Sequence, residues 1–215
     1  MTAGSRQVVL NKIRDGLGGI TGEPAAGYAD LPRAYQQHGS MSAALKLALM
    51  VERLREYDAE VVECAESALV ATIAAQIAHS TRHLLTAPAG LPAPWLVDGV
   101  EWRVDHELSH KQIEEAEGVV TASFCGVAES GTIVLHHSST EGRRVLTLLP
   151  DWHLCVVRAT DVVETLPEYF ARCAEPPPLA TYISGPSATA DIEMTRIKGV
   201  HGPRFLSVVL VRDEA

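Results

Sequence analysis

Apolar residues at Leu47, Met50, Val51 and Leu54 recur at i, i+3, i+4 and i+7, the stripe of an amphipathic helix that packs on a core. Ser40 or Ser42 can cap that helix, because a short hydroxyl side chain accepts from the free N–H groups of a first turn. Earlier in the chain, Val8, Val9, Ile13 and Leu17 predict a helix within residues 1–20, which Gly16, Gly18, Gly19 and Gly22 bring to an end. A linker bearing Pro and Gly runs from there to about Gly39. Residues 59–64 then predict a short strand and 66–79 an alanine-rich helix. Residues 83–86 are a further strand candidate, and 109–116 read as a helix with a charged face leading into a Gly-Val-Val-Thr-Ala stretch at 118–122.

The second half is richer in strands, expected at 131–136, 145–149, 153–159, 179–184 and 204–212, with a helix over 161–173 and a short one after Gly185. Strands alternating with helices favour an α/β domain with a largely parallel sheet. The division expected is an N-terminal helical segment and linker at 1–39 and an α/β domain at 40–215.

Composition narrows the function more than the fold. With 18 Lys+Arg against 27 Asp+Glu the net charge is −9, which argues against nucleic acid, where basic groups must replace condensed counterions. No stretch approaches a membrane span, and the N-terminus lacks the basic and apolar segments of a secretion signal, so a cytoplasmic protein is expected. The cysteines at 64, 125, 155 and 173 form no Cys-x-x-Cys, which leaves neither a zinc ribbon nor a cluster motif.

Two familiar motifs fail on their surroundings. His106-Glu-Leu-Ser-His110 satisfies H-E-x-x-H, which on a helix turns two histidines one way to bind zinc. Here Asp105 and Lys111 flank it and no third ligand is adjacent, so no metal is expected. Residues 126–132, Gly-Val-Ala-Glu-Ser-Gly-Thr, mimic a phosphate loop but lack its lysine.

Other segments carry more chemistry. In the run from Thr181 to Glu193 a short strand meets Gly185 and Pro186, with Ser187 where a helix cap belongs. A helix starting there would present free N–H groups to an anion, with Ser184, Ser187 and Thr189 as hydroxyl partners and Asp191 and Glu193 beyond. Glu129 stands just ahead of Ser130, Gly131 and Thr132, where a carboxylate at a strand start can serve as base or nucleophile. Arg143, Arg144 and His153 can supply positive charge, and His201 sits in a glycine-flanked loop before the last strand.

Taken together, Gly-Val-Val-Thr-Ala-Ser at 118–123, Ala-Glu-Ser-Gly-Thr-Ile-Val-Leu at 128–135, the run from Arg144 to Pro150, His153 with its strand, Ile-Ser-Gly-Pro-Ser-Ala-Thr-Ala-Asp-Ile-Glu at 183–193 and Gly-Val-His-Gly-Pro-Arg at 199–204 resemble the lactate-utilization protein C family, or LUD domain. Ser130 stands where that family usually has threonine, so the hydroxyl is kept. The resemblance implies a three-layer α/β/α fold similar to ribose-phosphate isomerases and coenzyme A transferases. It also implies a role beside iron–sulfur proteins that oxidise L-lactate to pyruvate, with the iron–sulfur clusters in those partner subunits and no cofactor in this chain.

The leading expectation is a subunit or accessory of such a system that binds a small carboxylate between the Glu129 loop and the Ser184–Glu193 loop, with Glu129 as the catalytic candidate. The sequence leaves open whether the chain catalyses alone and whether it forms a homo-oligomer. A second reading is a stand-alone enzyme on an acyl-CoA or sugar phosphate that uses Glu129; a third is a zinc hydrolase at His106 and His110.

Overall fold

The computed structural model describes residues 3–17, 30–173, 175, 177–186, 188–189, 197–198 and 202–212. The chain divides into two compact units, Met1–Tyr35 and Gln36–Ala215. In the first, helix α1 (Ala3–Gly16) leaves Val8, Val9 and Ile13 exposed.

The helices of the second unit are α2 (Ala43–Glu56), α3 (Leu69–Ser80), α4 (His110–Glu114) and α5 (Leu166–Arg172). Its strands are β1 (Glu60–Ala65), β2 (Leu84–Pro88), β3 (Glu101–Asp105), β4 (Gly118–Thr121), β5 (Cys125–Val127), β6 (Thr132–Leu135), β7 (Trp152–Arg158), β8 (Val162–Val163), β9 (Thr181–Ile183), β10 (Ala188–Thr189), β11 (Ile197–Lys198) and β12 (Phe205–Arg212). Six strands form a parallel sheet in the order β1-β12-β7-β4-β2-β3. The central strands β7 and β12 are apolar almost throughout because both of their faces are covered.

Each face has its own core. Leu206, Val208 and Leu210 of β12 and Cys155 and Val157 of β7 pack under the stripe Leu47, Met50, Val51 and Leu54 of α2. Val209, Val211, Leu154 and Val156 point the other way, toward Leu69, Ile73 and Ile77 of α3. This alternation of side chains along a strand is what gives the α/β layering expected of the sequence. A small second sheet, β8-β5-β6-β9, shares the α2 layer, and Ile133 and Leu135 of β6 join that core. The β5–β6 hairpin turns through a one-turn 3₁₀ helix, Ala128–Ser130, and Gly131 at φ 60°. A Cβ at Gly131 would lie 2.7 Å from Arg53 Cβ and 2.9 Å from the Arg53 carbonyl carbon, so only glycine lets this turn sit against α2.

Three sequence expectations are corrected. The segment 145–149 is not a strand: Arg144–Thr147 closes a 3₁₀ turn in which the Thr147 hydroxyl donates to the Arg144 carbonyl at 3.2 Å. Five residues with a hydroxyl at their centre carry no clear period, and here the Thr147 side-chain bond favours the turn. No short helix follows Gly185 among the described residues, because Ala188 and Thr189 are extended and pair antiparallel with Lys198 and Ile197. The helix expected over 161–173 is confined to α5, since Val162 and Val163 join the second sheet and Thr165 caps the helix in a capping box with Glu168.

Candidate functional site

A cavity of about 220 Å³ opens between the α2-side face of the parallel sheet and the β9 edge of the small sheet. Arg144 and Thr147, on the 3₁₀ turn before β7, line it together with His153, the second residue of β7. Thr181, Tyr182 and Ser184 contribute from β9 and the residue after it, and glycine–proline pairs at 185–186 and 202–203 complete the wall.

Arg144 is the charge of this site. Its Nη1 donates to Thr147 Oγ1 at 2.9 Å and to the Thr147 carbonyl at 3.2 Å. No carboxylate pairs with it among the described residues, and burial presses its pKa down, the direction that disfavours the cation. A partly buried guanidinium with no counter-charge is costly unless an anion arrives. His153 does not share the charge. It is buried, and that burial together with the nearby Arg144 cation pushes its pKa down to about 3, so the ring is neutral. Its Nε2 shares a 2.7 Å hydrogen bond with Thr121 Oγ1, and Thr121 in turn bonds Cys155 Sγ at 3.7 Å. Burial raises the Cys155 thiol to about 12, which leaves it inert.

Behind Ser184 runs a chain of hydroxyls, with Ser184 Oγ 2.7 Å from Thr132 Oγ1 and Thr132 Oγ1 2.7 Å from Ser130 Oγ. Thr181 is tied to His137, whose Nε2 lies 2.8 Å from Thr181 Oγ1 and whose Nδ1 lies 2.8 Å from the Gly142 carbonyl. His137 holds this position at φ 57°, a left-handed backbone that costs a non-glycine residue roughly 1–2 kcal/mol. Tyr182 packs edge-on against buried Tyr169, ring centroids 5.8 Å apart, and donates to its hydroxyl at 3.3 Å.

The structure therefore gathers Arg144, His153, Ser184 and Gly185 at one cavity, and places Thr132 and Ser130 one and two hydrogen bonds behind it. Gly131 serves the turn against α2. Glu129 is exposed on that turn and does not line the cavity. Thr189 belongs to β10, while Ser187, Asp191, Glu193 and His201 lie outside the described residues. Arg143, the neighbour of Arg144, points to a different place: its Nε and Nη2 donate to the two oxygens of Asp105 at 2.8 and 2.7 Å.

The H-E-x-x-H segment is not a zinc helix. Ser109 caps α4 in a capping box with Gln112, so the helix begins only at His110, and Glu107 ahead of it has φ 67°. His106 and His110 thus do not share a helical face.

The pattern of the LUD domain family matches residues 47–211. The chain belongs to the LUD domain family. Lactate utilization protein C of Deinococcus radiodurans is 39% identical over 182 residues, covering 82% of this chain and 84% of that protein. Lactate utilization protein C of Bacillus subtilis is 37% identical over 134 residues, 57% of this chain and 55% of the other, so the match spans about half of that relative. A crystal structure of a DUF162 family protein from Deinococcus radiodurans superposes with a TM-score of 0.69 at 36% identity, covering 80% of this chain and 99% of that one. The LUD segment includes Arg144, His153, Thr181 and Ser184, and hence the side chains that give the cavity its polarity.

Sequence reasoning missed Thr121, Thr147, His137 and Thr181. Thr147 lies three residues from Arg144 and was readable as an i, i+3 partner once a turn replaced the expected strand. The Thr121–His153 and His137–Thr181 pairs join residues 32 and 44 apart, and only strand pairing brings them together.

Proposed function

We propose that this LUD domain works in lactate utilization by holding a small carboxylate in the Arg144 cavity. The observation that carries the reading is a guanidinium that lines a cavity and, among the described residues, is bonded to Thr147 alone. At about 220 Å³ the cavity is below the roughly 300–1,000 Å³ of sites for drug-sized ligands, a size for a molecule of few heavy atoms. Neutral His153 and the Thr181 and Ser184 hydroxyls add hydrogen-bonding groups without adding charge, which suits a monoanion. The names of the relatives supply the pathway.

In this reading the chain is a cytoplasmic component without a cofactor of its own, and electron transfer belongs to iron–sulfur partner proteins. The sequence supports that division, because the four cysteines form no cluster motif. The cavity does not draw on Glu129, and neither the stand-alone enzyme nor the zinc hydrolase gains support from the site.

The test is growth on L-lactate of a strain from which the chain has been deleted. The wild-type chain restores growth, whereas Arg144→Met accumulates as folded protein and does not. Full rescue by Arg144→Met would remove the cavity from the function.

A further inference from the structure

Among the hydroxyls lining the cavity, Thr181 has a proton whose direction the structure fixes. His137 Nδ1 faces a carbonyl oxygen, that of Gly142, at 2.8 Å, and a carbonyl only accepts, so the ring proton sits on Nδ1. With the single ring proton on Nδ1, Nε2 is a bare acceptor, and the hydroxyl 2.8 Å away donates to it. Thr181 Oγ1 has no other hydrogen bond among the described residues. Its proton is thus committed to His137, and what remains for the cavity is a pair of acceptor lone pairs.

From this polarity we infer that Thr181, held by His137, selects a carboxylate that carries an adjacent hydroxyl over the matching 2-oxo acid. A ligand hydroxyl can donate to Thr181 Oγ1 while the carboxylate meets Arg144. An oxo group in the same place would set one acceptor against another. His137 acts here as a positioning residue, and its left-handed backbone at φ 57° is what brings both of its ring nitrogens to their partners. The Ser130–Thr132–Ser184 chain gives no such discrimination, because its hydroxyls can all reverse together.

The inference rests on the carboxylate reading of the cavity, and the experiment separates the two. L-lactate and pyruvate are titrated into the full chain by calorimetry. The wild type binds lactate roughly 3–10-fold more tightly than pyruvate, the value of one neutral hydrogen bond. Thr181→Val, of the same shape, loses the preference by weakening lactate, and Thr181→Ser keeps it. His137→Asn tolerates the left-handed backbone but frees the Thr181 proton, so the preference narrows through tighter pyruvate binding. Equal affinities in the wild type, or an unchanged ratio in Thr181→Val, overturn the inference while Arg144-dependent binding of both acids leaves the carboxylate reading standing. Binding of neither acid overturns both. If Thr181→Val fails to fold, the His137→Asn ratio decides: unchanged, it refutes the assignment.

Discussion

Adjacent Arg143 and Arg144 should behave as opposites when each is replaced by methionine. Arg143 makes a two-bond fork to Asp105, and the two side chains are 46% and 4% exposed. Burial alone would raise the Asp105 carboxyl, but the Arg143 guanidinium and the Leu108 and Glu107 N–H groups outweigh it and hold the carboxyl below its ordinary range. Arg143→Met strands that carboxylate. Stripping one partner from a fully buried pair costs about 3–5 kcal/mol, and the half-exposed arginine brings the figure to roughly 2–4 kcal/mol. For a chain of this size that lowers Tm by roughly 4–16 °C. Arg144→Met removes a cation bonded, among the described residues, only to Thr147 and keeps the apolar stem, so Tm should stay within about 3 °C. Its effect falls on binding: losing a hydrogen bond to a charged group weakens L-lactate by about 10–150-fold, or 1.5–3 kcal/mol. Thermal unfolding and calorimetry on the two variants read both effects. If Arg144→Met melts as low as Arg143→Met and still binds lactate, the guanidinium is structural and the reasoning fails.

Three further outcomes are expected. Burial and the Arg144 charge hold the folded His153 near 3 against 6.5 in the unfolded chain, so its contribution is intact above pH 6.5 and is lost as pH falls toward 3. Urea unfolding of the wild type minus that of His153→Gln should therefore decline by about 1.4 kcal/mol per pH unit between pH 6 and 4; a flat difference would show a ring that titrates normally. Gly131→Ala should lose roughly 2–4 kcal/mol of stability from its left-handed backbone and its overlap with Arg53, and a Tm equal to wild type would contradict the close approach of the turn to α2. Glu129→Gln should bind L-lactate like the wild type, because the carboxylate stands outside the cavity; a tenfold loss would return Glu129 to the site.

Much of the fold is legible because its strongest signals are local. The α2 stripe and the apolar runs of β7 and β12 state burial directly, as one face of a helix or both faces of a strand. The edge strand β3 was not legible: Glu101, Arg103 and Asp105 break any apolar pattern, and an edge tolerates such charges. The H-E-x-x-H motif was discounted on its flanks and missing third ligand; the capping box of Ser109 and Gln112 inside it adds a local reason that its histidines share no helical face. At the site, Arg144, His153 and Ser184 stand within motifs and could be named. Which arginine lacks a carboxylate partner among the described residues could not be read, since Arg143 and Arg144 differ only in the elements that meet them, and Asp105 lies on β3.

In the proposed function a small carboxylate sits on Arg144 between β7 and β9. A crystal structure of the full chain grown with L-lactate tests it most directly. The expected result is a lactate carboxylate hydrogen-bonded to the Arg144 guanidinium, with its hydroxyl toward Thr181. Lactate ordered elsewhere, for instance at Arg82 between Trp152 and Phe205, with none at Arg144, would contradict it.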